Sequence, residues 1–172
     1  ITYGRDPYPT SLRIFNIIKF CSKNNLFEKV FIDLIYMDTK LLMDNIEYHL
    51  LGNHLLENAF SIYLSGLFFE IEKFKETGKK IIVNQLKKQI LSDGAHNELS
   101  HMYHKIILFK ILDLLNFHKS NPKIQDSTFV NFLKSNAERM ISWSNSFSLK
   151  NGYSPNFNDS YRNNLNLSDL RK

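Results

Sequence analysis

The chain has 172 residues, enough to bury a sizeable core in one domain. It carries 22 Lys and Arg against 17 Asp and Glu, a net charge of +5, with the positive residues spread along the chain. Such scattered charge favours acidic partners in general and selects none among polyanionic sugars, nucleic acids and membrane surfaces. The single cysteine excludes an internal disulfide framework, and no apolar run is long enough to span a bilayer.

The spacing of apolar residues predicts helices rather than strands along the chain. Sustained alternation with a period of two, which is typical of strands, is missing from every segment. Gly4, Pro7 and Pro9 predict an irregular lead-in over residues 1–10, and Gly78 predicts a break in a polar link after the third helix. The predicted helices span about residues 10–23, 26–36, 44–69, 79–91, 100–117 and 127–143.

Six helices joined by short links predict an all-α domain built from antiparallel helical hairpins. No repeat of fixed period is present, which disfavours a tetratricopeptide or ankyrin array. We expect one partial domain over residues 1–172, with an irregular tail from about residue 145. Because the chain opens on Ile1 rather than Met, we expect it to be a piece of a longer protein.

The third predicted helix begins with an unusually polar stretch, which holds two histidines, two asparagines and two carboxylates inside an apolar helical pattern. At about 3.6 residues per turn, His49, Asn53 and Glu57 fall in one row. His54 and Asn58 fall in the adjacent row. By pattern alone, a solvated stripe or polar groups satisfied inside a bundle explain such a helix more often than a catalytic site does.

Several kinds of chemistry are disfavoured by spacing. His54-x-x-Glu57 and His101-x-x-His104 each place two possible metal ligands on one helical face, but such pairs are common by chance and the zincin spacing is missing. We therefore expect no metal and no cofactor. The context of a serine or cysteine nucleophile is also missing, as are glycine-rich phosphate loops. Most aromatic residues recur at core spacing without a basic stripe, so no nucleic-acid partner is expected.

Proton abstraction next to a carboxylate suits the residue types best. The carbanion forms beside a negative charge, so donors such as an Asn amide, an imidazolium or a protonated Glu have to neutralise it. A tyrosine then serves as base and later as acid, provided that cationic or donor neighbours lower its pKa from about 10. Tyr103 lies between His101 and His104 in the sequence, and His54 is available from the third helix.

The most distinctive part of the sequence is a set of four polar segments in fixed order. They are residues 11–16, 47–58, 89–104 and 155–160. Together they resemble the N-terminal region of the heparinase II/III family of polysaccharide lyases. The resemblance implies an incomplete (α/α) toroid that is followed, in full-length relatives, by an antiparallel β-sandwich region. It also implies β-elimination cleavage of an acidic, uronic-acid-containing polysaccharide, by a bacterial protein that is periplasmic or secreted.

The resemblance also assigns roles to single residues. Carried over position by position, Asn53 neutralises the substrate carboxylate, His54 supports it, and Tyr103 is the catalytic base and acid. Glu57 matches a position that is functional in some members of the family. The other residues predicted to bind substrate or shape the site are His96, Glu98, His104 and Asn158.

Two departures from the family pattern and two alternatives accompany this reading. His101 stands where the family usually has proline, and Ala95 where glycine is frequent. The family's further catalytic histidine belongs to the downstream β-sandwich region, so we expect this chain to hold half a site and to be inactive alone.

The alternatives are a non-catalytic glycan-binding or polysaccharide-assembly module, and a helical protein-interaction domain. The N-glycosylation sequon at Asn158 is a pattern with a high false-positive rate.

Overall fold

The computed structural model describes residues 4–50, 52–122 and 126–147, together with Asn158 and Ser160. Within these residues the chain forms six α-helices and no strand, with one antiparallel bridge between Ile90 and His96. The all-α prediction is confirmed. No helix in this part of the chain is long and apolar enough to cross a membrane. The helices are α1 (Pro7–Asn24), α2 (Lys29–Asp44), α3 (Gly52–Phe69), α4 (Glu72–Gln89), α5 (His101–Ser120) and α6 (Ser127–Ser146).

The chain divides into two compact units, Ile1–Gln85 and Leu86–Lys172, with the boundary inside α4. In unit 1, α1 packs on α2 and α3, and α2 packs on α3. In unit 2, α5 packs on α6. The single partial domain over residues 1–172 stays a prediction. The irregular tail predicted from about residue 145 falls mostly outside the described residues, and α6 itself continues to Ser146.

α3 is buried on all sides between Leu55 and Leu67. A helix without a solvated face has to satisfy its polar side chains inside the protein. Ser61 Oγ accordingly donates a hydrogen bond to the backbone oxygen of Ser11, at 2.7 Å. Ser65 Oγ lies 2.8 Å from Thr39 Oγ1 on α2. These polar residues of α3 therefore join helices instead of forming a stripe that faces water.

A charged pair connects α1 to α2. Arg13 Nε donates to Asp38 Oδ2 at 2.7 Å, and Arg13 Nη1 donates to the backbone oxygen of Gly4 at 2.7 Å. The hydrogen bond to Asp38 raises the pKa of the Arg13 guanidinium. Removal of either partner would leave the other charge poorly compensated in a part-buried setting. Arg13, the third residue of the family-like segment 11–16, therefore has a structural role in joining α1 to α2.

α1 and α2 differ from their predicted bounds. α1 begins at Pro7 rather than near residue 10, because a proline in the first helical turn lacks only an N–H that has no helical partner. α2 runs to Asp44 rather than ending near residue 36, since Thr39 and Leu42 continue its buried face. The apolar periodicity predicts both helices correctly, but it does not predict where α1 begins or where α2 ends.

The start of α3 is the main correction to the sequence reading. Residues 45–50 form a loop, and α3 begins at Gly52 rather than at residue 44. Gly52 has a φ of +52°, a left-handed conformation that glycine adopts at little cost. The predicted row of His49, Asn53 and Glu57 on one helix is therefore wrong, because His49 lies in the loop.

Glycines allow α3 and α4 to approach closely. The predicted break at Gly78 is wrong, because this residue lies inside α4 and faces α3. A Cβ at Gly78 would lie 2.6 Å from the backbone nitrogen of Tyr63 and 2.8 Å from the backbone oxygen of Ala59. A Cβ at Gly66 would likewise overlap the backbone of Lys75. Both positions have to be glycine for the two helices to keep this separation.

We expect Gly78→Ala to lower the free energy of unfolding by about 1–3 kcal/mol, because the added Cβ pushes α3 and α4 apart. On a solvated helix the same change raises stability by about 1 kcal/mol, so the sign of the effect is diagnostic. Lys80→Ala on the exposed side of α4 is the control, with an expected change of about 0.5 kcal/mol or less. Urea unfolding measures both variants, and a Gly78→Ala protein as stable as the parent would contradict the close approach.

Candidate active site

The first half of the predicted site lies at the start of α3 in unit 1. Asn53 and His54 lie in the first turn of the helix, and Glu57 lies one turn further along. Asn53 is 9% exposed and Glu57 is fully buried. The His54 side chain, in contrast, is 46% exposed. Of these three residues, His54 is the one most open to a ligand.

His54 contacts residues from α1 and from the loop between α2 and α3. Its Nδ1 atom lies 3.3 Å from Glu47 Oε1, and its ring centroid lies 4.5 Å from that of Tyr8. The Glu47 side chain is only 8% exposed. Sequence reasoning missed both contacts, because it placed Tyr8 in an irregular lead-in and Glu47 on the same helix as His54. A carboxylate seven positions before the histidine was the available signal, and it acquires meaning only when residues 45–50 form a loop.

The Asn58 carboxamide joins α3 to α1 and to the same loop. Its Nδ2 atom donates to Ser11 Oγ at 2.9 Å and to Glu47 Oε2 at 3.0 Å. Its Oδ1 atom accepts the backbone N–H of Glu47 at 2.9 Å. Ser11 Oγ in turn donates to the backbone oxygen of Pro7 at 2.8 Å. Asn58 is therefore a polar residue satisfied inside a helical bundle, which is the structural explanation that the sequence had left open.

The second half of the predicted site begins with the loop between α4 and α5 in unit 2. The backbone N–H of Leu91 donates to the oxygen of Ala95 at 2.8 Å, and the N–H of Gly94 donates to the oxygen of Leu91 at 3.0 Å, so residues 91–95 form a turn. Gly94 has a φ of +94°, and a Cβ there would overlap the backbone carbonyl of Arg139 on α6. The turn is therefore packed against α6 and fixes where the following residues start.

His96 is buried in this loop, with both ring nitrogens engaged. Its Nε2 atom lies 3.0 Å from Gln89 Oε1, and its Nδ1 atom accepts the backbone N–H of Glu98 at 3.4 Å. An amide oxygen only accepts, so the ring hydrogen is assigned to Nε2. Burial lowers the pKa of His96 to about 4, which makes the ring neutral near pH 7. These contacts suit a residue that shapes the loop, and substrate binding by His96 stays a prediction.

Tyr103 lies in the first turn of α5. Ser100 caps this helix, since its Oγ atom accepts the backbone N–H of Tyr103 at 3.3 Å. The same Oγ atom lies 2.8 Å from Ser160 Oγ. Tyr103 itself is half-buried. The tyrosine therefore occupies the first turn of a helix, where the helix dipole favours negative charge.

Asn158 holds the backbone immediately before this helix. Its Nδ2 atom donates to the backbone oxygens of Glu98 and Leu99, each at 3.2 Å. Leu99 has a φ of +51°, a left-handed conformation that a leucine rarely adopts and that its surroundings have to maintain. Nδ2 is also the atom to which an N-glycan would be attached, so glycosylation would disturb these hydrogen bonds. Substrate binding by Glu98 and Asn158 stays a prediction.

The two histidines beside Tyr103 pack on Trp143 of α6. The ring centroids of His101 and His104 each lie 4.7 Å from that of Trp143, and His104 Nε2 donates to the backbone oxygen of Met140 at 3.0 Å. Burial lowers the pKa of both rings, that of His104 to about 4. Near pH 7 they are neutral, so of the cationic or donor neighbours that the sequence left open for Tyr103, these two rings do not supply a cation. Substrate binding by His104 stays a prediction.

We expect stability to fall as the pH decreases from about 6.5 to about 4. An unfolded histidine takes up a proton near pH 6.5, whereas His96 and His104 in the folded protein do so only near pH 4. The unfolded state binds more protons in this window, so stability that is present above pH 6.5 is lost on acidification. At about 1.4 kcal/mol per pH unit for each group, the combined loss amounts to several kcal/mol.

The variant His104→Gln tests this assignment. Its amide N–H can replace Nε2 as the donor to Met140, but the new side chain takes up no proton in this pH range. We expect the loss of stability between pH 6.5 and 4 to be smaller in the variant than in the parent, as measured by urea unfolding at a series of pH values. Identical slopes for parent and variant would show that His104 is not one of the buried neutral histidines responsible.

Comparison with known proteins links this geometry to a family. The sequence matches the family described as Heparinase II/III N-terminus over residues 10–171. The crystal structure of heparinase III has a TM-score of 0.68 and 24% identity, and the match covers 91% of this chain and 26% of that one. The heparan sulfate lyase HepC from Pedobacter heparinus has a TM-score of 0.65 and 23% identity, with 92% and 26% covered. No curated protein matches the sequence.

These comparisons settle the fold class and the family. The chain spans about a quarter of the length of the two solved structures, because the matches cover 26% of each. The likeness to both structures confirms the predicted incomplete (α/α) toroid as the fold class of this all-α chain. The family match also includes the positions of Asn53, His54 and Tyr103. The chain belongs to the heparinase II/III family and corresponds to its N-terminal region.

Proposed function

We propose that this chain is part of a lyase that cleaves an acidic, uronic-acid-containing polysaccharide by β-elimination. The observation that carries the proposal is that Asn53, His54 and Tyr103 lie inside the family match and in the first turns of two helices, α3 and α5. One solved neighbour is named a heparan sulfate lyase, so a heparan-like polymer is the first substrate to test.

The proposed chemistry divides into two tasks, which are charge neutralisation by Asn53 and His54 and proton transfer by Tyr103. When the proton next to the substrate carboxylate is removed, negative charge spreads over the carbon and the carboxylate. The Asn53 amide and the His54 ring supply N–H groups that neutralise this charge. The Tyr103 phenolate takes the proton and returns it to the leaving sugar oxygen, as the carbon–oxygen bond breaks and a carbon–carbon double bond forms. Tyr103 is thereby regenerated at the end of the cycle.

The positions of these residues on their helices suit charges of this sign. The first turn of a helix presents backbone N–H groups without helical partners, and the helix dipole favours negative charge there. Asn53 occupies such a turn in α3, and Tyr103 occupies one in α5. A bound carboxylate and a tyrosine phenolate are both negative.

The proposal extends beyond the residues of this chain. A downstream β-sandwich region of the same protein would supply a further catalytic histidine and complete the site. The protein would act in the periplasm or after secretion, where polysaccharide chains are accessible. A non-catalytic glycan-binding or polysaccharide-assembly module is the alternative, in which the same surface retains the sugar without cleaving it.

We expect Tyr103→Phe in the full-length protein to lower the lyase rate by a factor of about 10² to 10⁴, because the variant lacks the oxygen that takes and returns the proton. The rate is measured by the ultraviolet absorbance of the unsaturated uronate product. Tyr36→Phe is the matched control, since it removes a hydroxyl from a part-exposed tyrosine of α2 that packs on Phe69.

The outcomes separate the two functions. Tyr103→Phe that still forms product at the parental rate would exclude Tyr103 as the base. A full-length parent that retains heparan sulfate, alginate or another uronate polymer on an affinity matrix, yet forms no unsaturated product from any of them, would favour the non-catalytic module. In that case Tyr103→Phe should leave retention unchanged.

A further inference from the structure

The partner of the exposed His54 ring is Glu47, a residue that the family resemblance leaves without a role. We propose that Glu47 is a positioning residue, which holds a hydrogen on His54 Nδ1 and thereby presents His54 as a cation to the substrate carboxylate. The inference rests on the proposed lyase function and assigns the source of the positive charge in that site.

The contacts of Glu47 divide into a structural part and a part that loop closure does not explain. Its backbone N–H donates to Asn58 Oδ1 at 2.9 Å, and its Oε2 atom accepts from Asn58 Nδ2 at 3.0 Å. These two hydrogen bonds suffice to fasten the loop to α3. The remaining oxygen, Oε1, lies 3.3 Å from His54 Nδ1. A buried carboxylate that only fastened the loop would not need this second contact.

The chemistry of this contact fixes the protonation of the ring. A carboxylate is an acceptor only, so a hydrogen bond to Glu47 requires the hydrogen to be on Nδ1. Nε2 is then the ring nitrogen left for a ligand, and the one hydrogen bond of the ring to a described residue is at Nδ1. Nε2 can donate to a substrate carboxylate only when the ring carries both hydrogens. Such a ring would lie between two acceptors, with Glu47 at Nδ1 and the substrate carboxylate at Nε2.

The groups around the ring support a fixed orientation. Tyr8 from α1 lies against the ring, with its centroid 4.5 Å away and an interplanar angle of 35°. Glu47 from the loop is the charged group at Nδ1, at 3.3 Å. Glu57 is the titratable residue one turn further along α3. With Nδ1 at Glu47 and one face against Tyr8, the His54 side chain is still 46% exposed.

Glu47→Gln changes the charge while keeping the size of the side chain. Asn58 Oδ1 accepts from the Glu47 backbone, so Asn58 Nδ2 still faces the substituted side chain and needs an acceptor there. The new amide has to turn its oxygen to Asn58 and its NH₂ group to His54. Nδ1 then becomes an acceptor, the ring hydrogen moves to Nε2, and the doubly protonated ring is disfavoured.

The first test is the pH dependence of the full-length enzyme with heparan sulfate as the probe. In the parent, we expect the pH profile of kcat/KM to include a limb that declines as the pH rises, because the proposed contact needs both ring hydrogens on His54. In Glu47→Gln, we expect kcat/KM to be lower by at least about tenfold near pH 5.5, and the parental decline to be lost. Glu76→Gln, an exposed residue of α4 with the same change in charge, is the control and should behave as the parent.

A double-mutant cycle separates positioning from a general effect on the fold. If Glu47 acts only through His54, then Glu47→Gln adds no further loss of kcat/KM in a His54→Gln background. Circular dichroism and thermal unfolding check that each variant is folded. An active parent with a Glu47→Gln variant that keeps the parental pH dependence, or with additive losses in the cycle, would overturn the inference and leave the proposed function standing.

A second measurement needs neither a folded Glu47 variant nor a product. In the full-length protein labelled with ¹⁵N-histidine, the ring nitrogens of His54 are assigned by comparison with His54→Gln. A hydrogen on Nδ1 near pH 7 supports the inference, even if the protein proves to make no product and the lyase proposal fails. A neutral ring with its hydrogen on Nε2 overturns the inference, whether or not the protein is a lyase.

Discussion

The complete burial of α3 from Leu55 to Leu67 is the constraint on which unit 1 depends. Because this part of the helix has no solvent-exposed face, its polar side chains have to form hydrogen bonds inside the protein. Asn58 and Ser61 therefore connect it to α1, and Gly66 leaves room for the backbone of α4. The exposed side chain of this helix is His54 in its N-terminal turn, and Phe68 and Phe69 at its C-terminal end are part-exposed.

The helical class was predictable because it depends on local periodicity, which apolar spacing reports directly. The start of α3 was not predictable, since residues 45–50 are compatible with a helical pattern and the contacts of Glu47 with Asn58 that fasten the loop cannot be seen from the sequence. The position of Gly78 inside α4 was not predictable for the same reason. A glycine inside a helix reads as a break until the helix that faces it is known.

The candidate site divides in the same way. Asn53, His54 and Tyr103 could be named from motifs in fixed order, because a family pattern preserves residue type and spacing. The charge on the neighbouring histidines could not, since it depends on burial against Trp143, a residue distant in the sequence. The surroundings of His54 were also out of reach, because Tyr8 belongs to a helix that begins with prolines and was read as irregular.

The two hydrogen bonds from Asn158 to the backbone of Glu98 and Leu99 have a consequence for the order in which the protein folds during synthesis. Asn158 and Glu98 are 60 residues apart, so Asn158 is synthesised well after the segment that it contacts. At synthesis rates of about 5–20 residues per second, this delay is roughly 3–12 s. During that interval the backbone oxygens of Glu98 and Leu99 lack the hydrogen bonds that Asn158 later donates. The segment that leads to Tyr103 is therefore completed late in translation, whereas all of unit 1 is synthesised earlier.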